Sequence, residues 1–154
     1  MVGAGQVTDD SEMAWCLALG ILDSNWQRDF QSQKDVADLI LNEDFLADRY
    51  RDWYQSDPFD MGNTIRGSIM QLDMPMRDME ESFNLVEREA RGYDVKQTAR
   101  RINKYSKSNG CLMRIAPMAV WLAELVKNRS DMRYESFKYL VKADVEMTHA
   151  DKLA

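Results

Sequence analysis

The hydrophobic positions of this chain recur with a helical period almost from end to end. Ala14, Leu17, Ala18 and Ile21 fall at i, i+3, i+4 and i+7, the spacing of one helix face. Val36, Leu39 and Ile40 predict a second helix, whose apolar stripe runs on through Leu46, Tyr50, Trp53 and Tyr54. Ile65, Ile69 and Leu72 predict a third. Phe83, Leu85 and Val86 belong to a charged fourth segment, which breaks near Gly92 and resumes with Val95, Ala99 and Ile102. Met118, Trp121, Leu122 and Leu125 mark a long helix, and Tyr134, Phe137, Val141 and Val145 mark a last one. No stretch alternates long enough to be a strand, and Asn109-Gly110 opens a helical pattern instead of joining two apolar runs as a hairpin turn would. The expected fold class is all-α, as a single domain over residues 1–154 without repeat, low-complexity tract or linker.

Three polar loops interrupt this pattern: residues 3–10, residues 55–63 and residues 104–110. Functional groups concentrate on loops held by rigid elements, so the chemistry is sought there. Composition adds limits. At 154 residues and 45% hydrophobic content the chain can bury a core and is too apolar for disorder. No apolar run reaches the roughly 18 to 20 residues of a membrane span, and MVGAGQVTDD lacks the basic and apolar regions of a secretory signal. Cys16 and Cys111 make no disulfide framework and read as reduced thiols of an intracellular, cytoplasmic protein. The 11 methionines read as filling for core gaps.

Charge divides the chain. Residues 1–90 carry 7 Lys+Arg against 19 Asp+Glu, whereas residues 91–154 carry 13 against 7. A sequence pI near 4.8 without a dense basic run excludes a nucleic-acid partner. An acidic front and a basic back suit a ligand that combines a metal with phosphates, or simply helices solvated differently.

The loops hold the candidate residues. Thr8-Asp9-Asp10-Ser11 offers hard oxygen ligands for Mg²⁺. Taken alone, the same residues read more simply as a helix cap, with Glu12 three residues after Asp9 completing a capping box. Ser106-Lys-Ser-Asn-Gly-Cys-Leu-Met-Arg-Ile-Ala-Pro117 is a small polar loop opening a helix, a place where backbone N–H groups can meet an anion. Arg114 suits a phosphate or a carboxylate, and Pro117 an early helical position. His149 is the single histidine, too few for a multi-histidine zinc site; it reads as a ligand contact or as a solvated residue near a frayed terminus. Cys16 reads as core, and Cys111, without a basic partner, is not read as a nucleophile.

Taken together, four ordered segments resemble the ADP-ribosylglycohydrolase family. Thr8-Asp-Asp-Ser-Glu-Met13 looks like its Thr-Asp-Asp-Thr/Ser-x-Met metal motif. Trp53-Tyr-Gln-Ser-Asp-Pro-Phe-Asp-Met-Gly-Asn-Thr64 resembles its Trp-Tyr…Pro-x-Asp-Ile-Gly-x-Thr segment. Ser108-Asn-Gly-Cys-Leu-Met-Arg-Ile-Ala-Pro117 resembles its Gly-Asn-Gly-x-x-Met-Arg-Ile-x-Pro loop, and Thr148-His149 its Thr-His motif. The resemblance implies an all-α fold with two Mg²⁺ ions in a central cleft, where ADP-ribose is removed hydrolytically from a modified protein side chain. It implies Thr8, Asp9 and Asp10 as metal ligands, with Asp9 and Asp10 as catalytic residues. Asp60 and Gly62 would line the ribose or phosphate approach, Ser106, Asn109 and Gly110 would cradle the diphosphate, and His149 would contact the ADP-ribose. The family's opening Gly-Asp-Ala-x-Gly helix and closing Asp-x-Asp-Ser/Thr motif have no counterpart in these 154 residues. The expectation is therefore a truncated domain with an incomplete metal site, inactive alone, with apolar faces covered by another protein chain. The alternative is a non-enzymatic helical subunit of a larger assembly.

Overall fold

The computed structural model describes residues 5–26, 41–70, 91–128 and 134–150, and these residues form helices and turns without a strand. The elements are α1 (Asp9–Trp26), α2 (Glu43–Gln55), α3 (Asn63–Ile69), α4 (Arg91–Ile102), α5 (Gly110–Met113), α6 (Ala116–Asn128) and α7 (Tyr134–Val145). The all-α expectation is met. Val36, Leu39, Ile40, Leu72, Phe83, Leu85 and Val86 lie outside the described residues.

Helix α1 shows why a stripe read from sequence can be rotated. Its buried face is Met13, Cys16, Leu17 and Ile21, while Ala14 and Ala18 are half-buried. Trp15, Leu19 and Leu22 are apolar as well, so periodicity alone does not single out the inner face. Trp15 and Leu22 are 67% and 59% exposed. The core side packs against α2 and α6, and Gly20 allows α2 to come close: a Cβ there would stand 3.0 Å from Leu46 Cδ1.

Helix α2 begins where its chemistry dictates. The Asn42 side chain caps it, accepting from Asp44 N at 2.9 Å and Phe45 N at 3.3 Å. The Asn42 amide in turn donates to Ser24 Oγ at 2.8 Å, which locks the start of α2 to the end of α1. Leu46, Ala47, Tyr50 and Trp53 form the buried stripe. The helix ends at Ser56 and Asp57, and Asp57 takes a left-handed φ of 54° that reverses the chain toward α3.

The break expected near Gly92 falls where α4 begins, and residues 71–90 before it lie outside the described residues. Gly92 is the second residue of α4, where a Cβ would fall 2.5 Å from Glu43 Cβ, and its amide donates to Asp44 Oδ1 at 2.8 Å. The ion pair of Lys96 with Glu43 adds to this junction. The missing side chain lets α4 pack onto the start of α2. Helix α3 packs on α4 and α2, and the short α5 intervenes between the 104–110 loop and α6. Pro117 is the second residue of α6, in keeping with its fixed φ and missing donor. Met118 and Leu122 of α6, Leu140 and Ala143 of α7, and Met147 beyond it complete the core. Among the described residues no helix is long and apolar enough to cross a membrane.

Candidate functional site

Three segments distant in sequence meet at one cleft of about 330 Å³. The start of α1 contributes Thr8, Asp9 and Asp10. The α2–α3 connection and the first turn of α3 contribute Asp60, Gly62, Asn63, Thr64 and Ile65. The loop into α5 contributes Ser108, Asn109 and Gly110, with Met113 behind them.

The acidic side rests on few contacts. Asp9 Oδ1 accepts from the Asp10 amide at 3.1 Å, and Asp9 Oδ2 from the Gly62 amide at 3.2 Å. The second bond joins the first motif to the second. The capping-box expectation fails because Glu12 faces another partner: its Oε2 accepts from Trp53 Nε1 at 2.7 Å. Trp53 is buried, so this bond ties the first turn of α1 to α2. Partial burial and the charges of Asp9 and Asp60 raise the Asp10 carboxyl from its ordinary value. Three carboxylates therefore share one field, and a cation would relieve it. They supply hard oxygen donors of the kind Mg²⁺ prefers. Among the described residues, however, no three acidic, histidine or cysteine side chains converge closely enough to enclose an ion.

The loop side rests on a buried polar network. Arg114 and Asp144 are both fully buried, and Arg114 Nε lies 3.2 Å and 3.1 Å from the two carboxylate oxygens. Of the two partners expected for Arg114, the structure shows the carboxylate. Tyr50 donates its hydroxyl to Asp144 Oδ1 at 2.5 Å, and the guanidinium lies over the Tyr50 ring at 5.1 Å. Burial opposes the charge on Arg114, but the Asp144 carboxylate outweighs it and holds the guanidinium protonated. Burial, with Asp144 beside it, holds the Tyr50 phenol well above its ordinary range.

From this network hydrogen bonds run toward the cleft. Arg114 Nη1 donates to Thr148 Oγ1 at 2.9 Å, Thr148 Oγ1 lies 2.8 Å from His149 Nδ1, and His149 Nε2 lies 2.8 Å from Ser108 Oγ. His149 is 1% exposed, which overturns the solvated, frayed reading. Burial, helped by the nearby Arg114 charge, lowers its pKa to about 4, so the ring is neutral near pH 7. The ring packs beneath Gly110, where a Cβ would meet His149 Cε1 at 3.5 Å. Asn103 braces the same region, its Nδ2 lying 2.6 Å from Thr64 O and 3.0 Å from Thr148 O.

The cleft thus brings together three of the four motif segments, and the fourth, Thr148-His149, stands behind it and reaches it through Ser108. The family model for ADP-ribosylglycohydrolases matches residues 1–154. The chain belongs to the ADP-ribosylglycohydrolase family. A protein of Acanthamoeba polyphaga mimivirus described as an ADP-ribosyl glycohydrolase is 27% identical over 150 residues, covering 96% of this chain and 34% of that protein. The chain spans about a third of the length of this curated relative. No solved structure matches.

For this ADP-ribosylglycohydrolase-family chain, the structure gathers Thr8, Asp9, Asp10, Asp60, Gly62, Asn109 and Gly110 around one cleft. Ser106 stands apart from that lining, with its Oγ 2.7 Å from Thr64 Oγ1, so it fastens the loop to α3. His149 also stands behind the lining and reaches it through Ser108. Ser108, Tyr50, Asp144 and Asn103 were not singled out by sequence reasoning. The signal for Ser108 was present: it occupies the place of the first glycine in the loop motif. No spacing rule connects Tyr50 or Asp144 to Arg114. Both thiols are buried; burial pushes Cys16 up to about 11 and also raises Cys111, so neither is a poised nucleophile.

Proposed function

We propose that this chain seats an ADP-ribosyl group in the cleft for hydrolytic removal from a modified protein side chain. The observation that supports this best is the meeting of Thr8, Asp9, Asp10 and Asp60 with the Asn109-Gly110 loop around one cavity. The loop offers N–H donors to a diphosphate, and the carboxylates offer negative oxygens to an electron-poor ribose. Cleavage of a ribosyl bond develops oxocarbenium character, which such oxygens stabilise. Asp9 and Asp10 are the residues we assign to this chemistry. Asp60 and Gly62 border the ribose approach, and His149 acts on the ligand from behind the loop.

Mg²⁺ is the ion we propose for Thr8, Asp9 and Asp10, and when bound it supplies positive charge for orienting a ribose hydroxyl and a water. The donors fit by chemistry and charge, but they do not form a closed cage. An ion held there by the described residues keeps much of its water shell and binds weakly. Buried, unreactive thiols suit an intracellular, reducing setting.

The test is calorimetric titration of the 154-residue chain with ADP-ribose, in Mg²⁺ and in chelator. Binding that is stronger with Mg²⁺ and lost in the Asp9→Ala, Asp10→Ala double variant supports the proposal. Absence of binding, or binding indifferent to the double substitution, removes it. A second reading is favoured by the exposed Trp15 and Leu22 of α1 and by Val120 of α6, which is 72% exposed. On that reading the chain is a helical interaction subunit, and another protein chain covers these side chains. Chemical cross-linking to a partner without any ADP-ribose binding would select it.

A further inference from the structure

The hydrogen bonds behind the loop have a direction, and that direction decides what Ser108 shows to the cleft. A guanidinium has donors only, so Thr148 Oγ1 must accept from Arg114 Nη1. That oxygen has one proton of its own to place. Among the described residues its other partner is His149 Nδ1, at 2.8 Å. If Nδ1 carried the ring proton, the Thr148 proton would point at no acceptor in a fully buried site, which is costly. Thr148 therefore donates to Nδ1, and the single proton of the neutral ring sits on Nε2. Nε2–H then donates to Ser108 Oγ at 2.8 Å. Ser108 is an acceptor on that side, so its own hydroxyl proton turns to the cleft it lines.

We propose that Ser108 is a hydrogen-bond donor to a phosphoryl oxygen of the bound ADP-ribosyl group and that His149 is its positioning residue, an inference that rests on the ADP-ribose reading of the cleft. A ligand atom facing an outward O–H must be an acceptor, and charged acceptors give the strongest bonds. In ADP-ribose those are the diphosphate oxygens. The carboxylates of the cleft come from other segments, so the loop side is where such charge is tolerated. His149 does not need to touch the ligand. Its work is to donate to the serine oxygen, so that the hydroxyl proton cannot point back at the ring and is left free for the cleft.

Two measurements test this. The first is the affinity of the 154-residue chain for ADP-ribose by calorimetry. Ser108→Ala should weaken binding about tenfold, and Ser108→Thr, which restores the hydroxyl, should recover it to within about threefold. Helical circular dichroism checks that both variants fold. Binding by the unsubstituted chain with no loss in Ser108→Ala overturns this inference and leaves the ADP-ribose reading intact. No binding by the unsubstituted chain overturns both. The second measurement is a long-range ¹H–¹⁵N spectrum of the imidazole, unambiguous because His149 is the single histidine of the chain. Protonation at Nε2 is expected; protonation at Nδ1 would reverse the chain of donors and overturn the proposal.

Discussion

The two sides of the cleft are built on opposite principles. The acidic side presents Asp9 and Asp10 at the first turn of α1, joined to Gly62 by a bond of 3.2 Å. The loop side is backed by Arg114, Asp144, Thr148 and His149, all almost wholly out of water. On the acidic side like charges repel one another, and stability is given up locally. On the loop side the buried charges of Arg114 and Asp144 are paired, and geometry is fixed before any ligand arrives. On the proposed function, unrelieved negative charge suits a cation and preorganised donors suit a diphosphate. The two sides therefore differ in how their charge is held, and substitutions on them should have effects of different size and kind.

The largest expected effect lies at the bottom of the loop side. Asp144→Ala leaves the Arg114 guanidinium buried without its counter-ion. Removal of one partner from a buried pair costs about 3–5 kcal/mol, mostly the penalty of the stranded charge. Urea denaturation of the variant measures it. A loss below about 1 kcal/mol would mean that water reaches Arg114, and the contrast between the two sides would be lost.

Acid should come next, and it should act on the two sides with opposite signs. His149 has a folded pKa of about 4 against an ordinary 6.5. Between those values the unfolded chain takes up a proton that the folded chain refuses. Stability is therefore retained above about pH 6.5 and falls as the pH drops toward 4, by about 3 kcal/mol in all. Asp10 works the other way. Its raised carboxyl binds a proton more readily in the folded state, so acid relieves the repulsion there, within the carboxylate range. The His149 ring signals followed by NMR against pH check the first claim. A ring that titrates with a midpoint near 6.5 in the folded chain would sink it.

Tyr50→Phe should be smaller. It removes one hydroxyl that donates to Asp144 Oδ1, while Arg114 continues to hold both carboxylate oxygens. A loss of about 1–2 kcal/mol is expected from one hydrogen bond to a charged group. If the loss matched that of Asp144→Ala, the hydroxyl and not the guanidinium would be the main support of Asp144.

The same contrast explains how much of the molecule was legible beforehand. Helices came from periodicity, which a half-buried helix displays directly. On α1 the pattern found Leu17 and Ile21 but not Met13 and Cys16 beside them, because Trp15, Leu19 and Leu22 are apolar as well. The acidic side was legible because Asp9, Asp10 and Asp60 sit in short motifs whose chemistry shows in the residue types. On the loop side Asn109 and Gly110 were legible in the same way, but the buried network behind them was not. Arg114 finds Asp144 30 residues away and Tyr50 on another helix, and such pairings follow from how helices pack. His149 looked like a terminal histidine because the chain after Thr148 gives no sign of burial. Gly92 was legible as a change in the pattern, but composition cannot show that Glu43 occupies the space where its side chain would be.

The smallest effect on stability should fall where the effect on function is large. Asp10→Asn keeps the shape of the side chain and removes a charge that Asp9 and Asp60 repel. Stability should stay within about 0.5 kcal/mol of the original, with any change toward greater stability, since a partly exposed site without buried partners has little else to lose. The same substitution takes away a hard anionic donor, so Mg²⁺ titration should show weaker binding than in the unsubstituted chain. The pair of measurements separates two accounts of this carboxylate. Were it chiefly a helix cap, Asp10→Asn would lower stability and leave the ion indifferent. If it is held at an energetic disadvantage for the sake of a cation, affinity falls while the fold stays as stable or gains. That second outcome is the one expected from a side of the cleft that gives up local stability to keep its charge available.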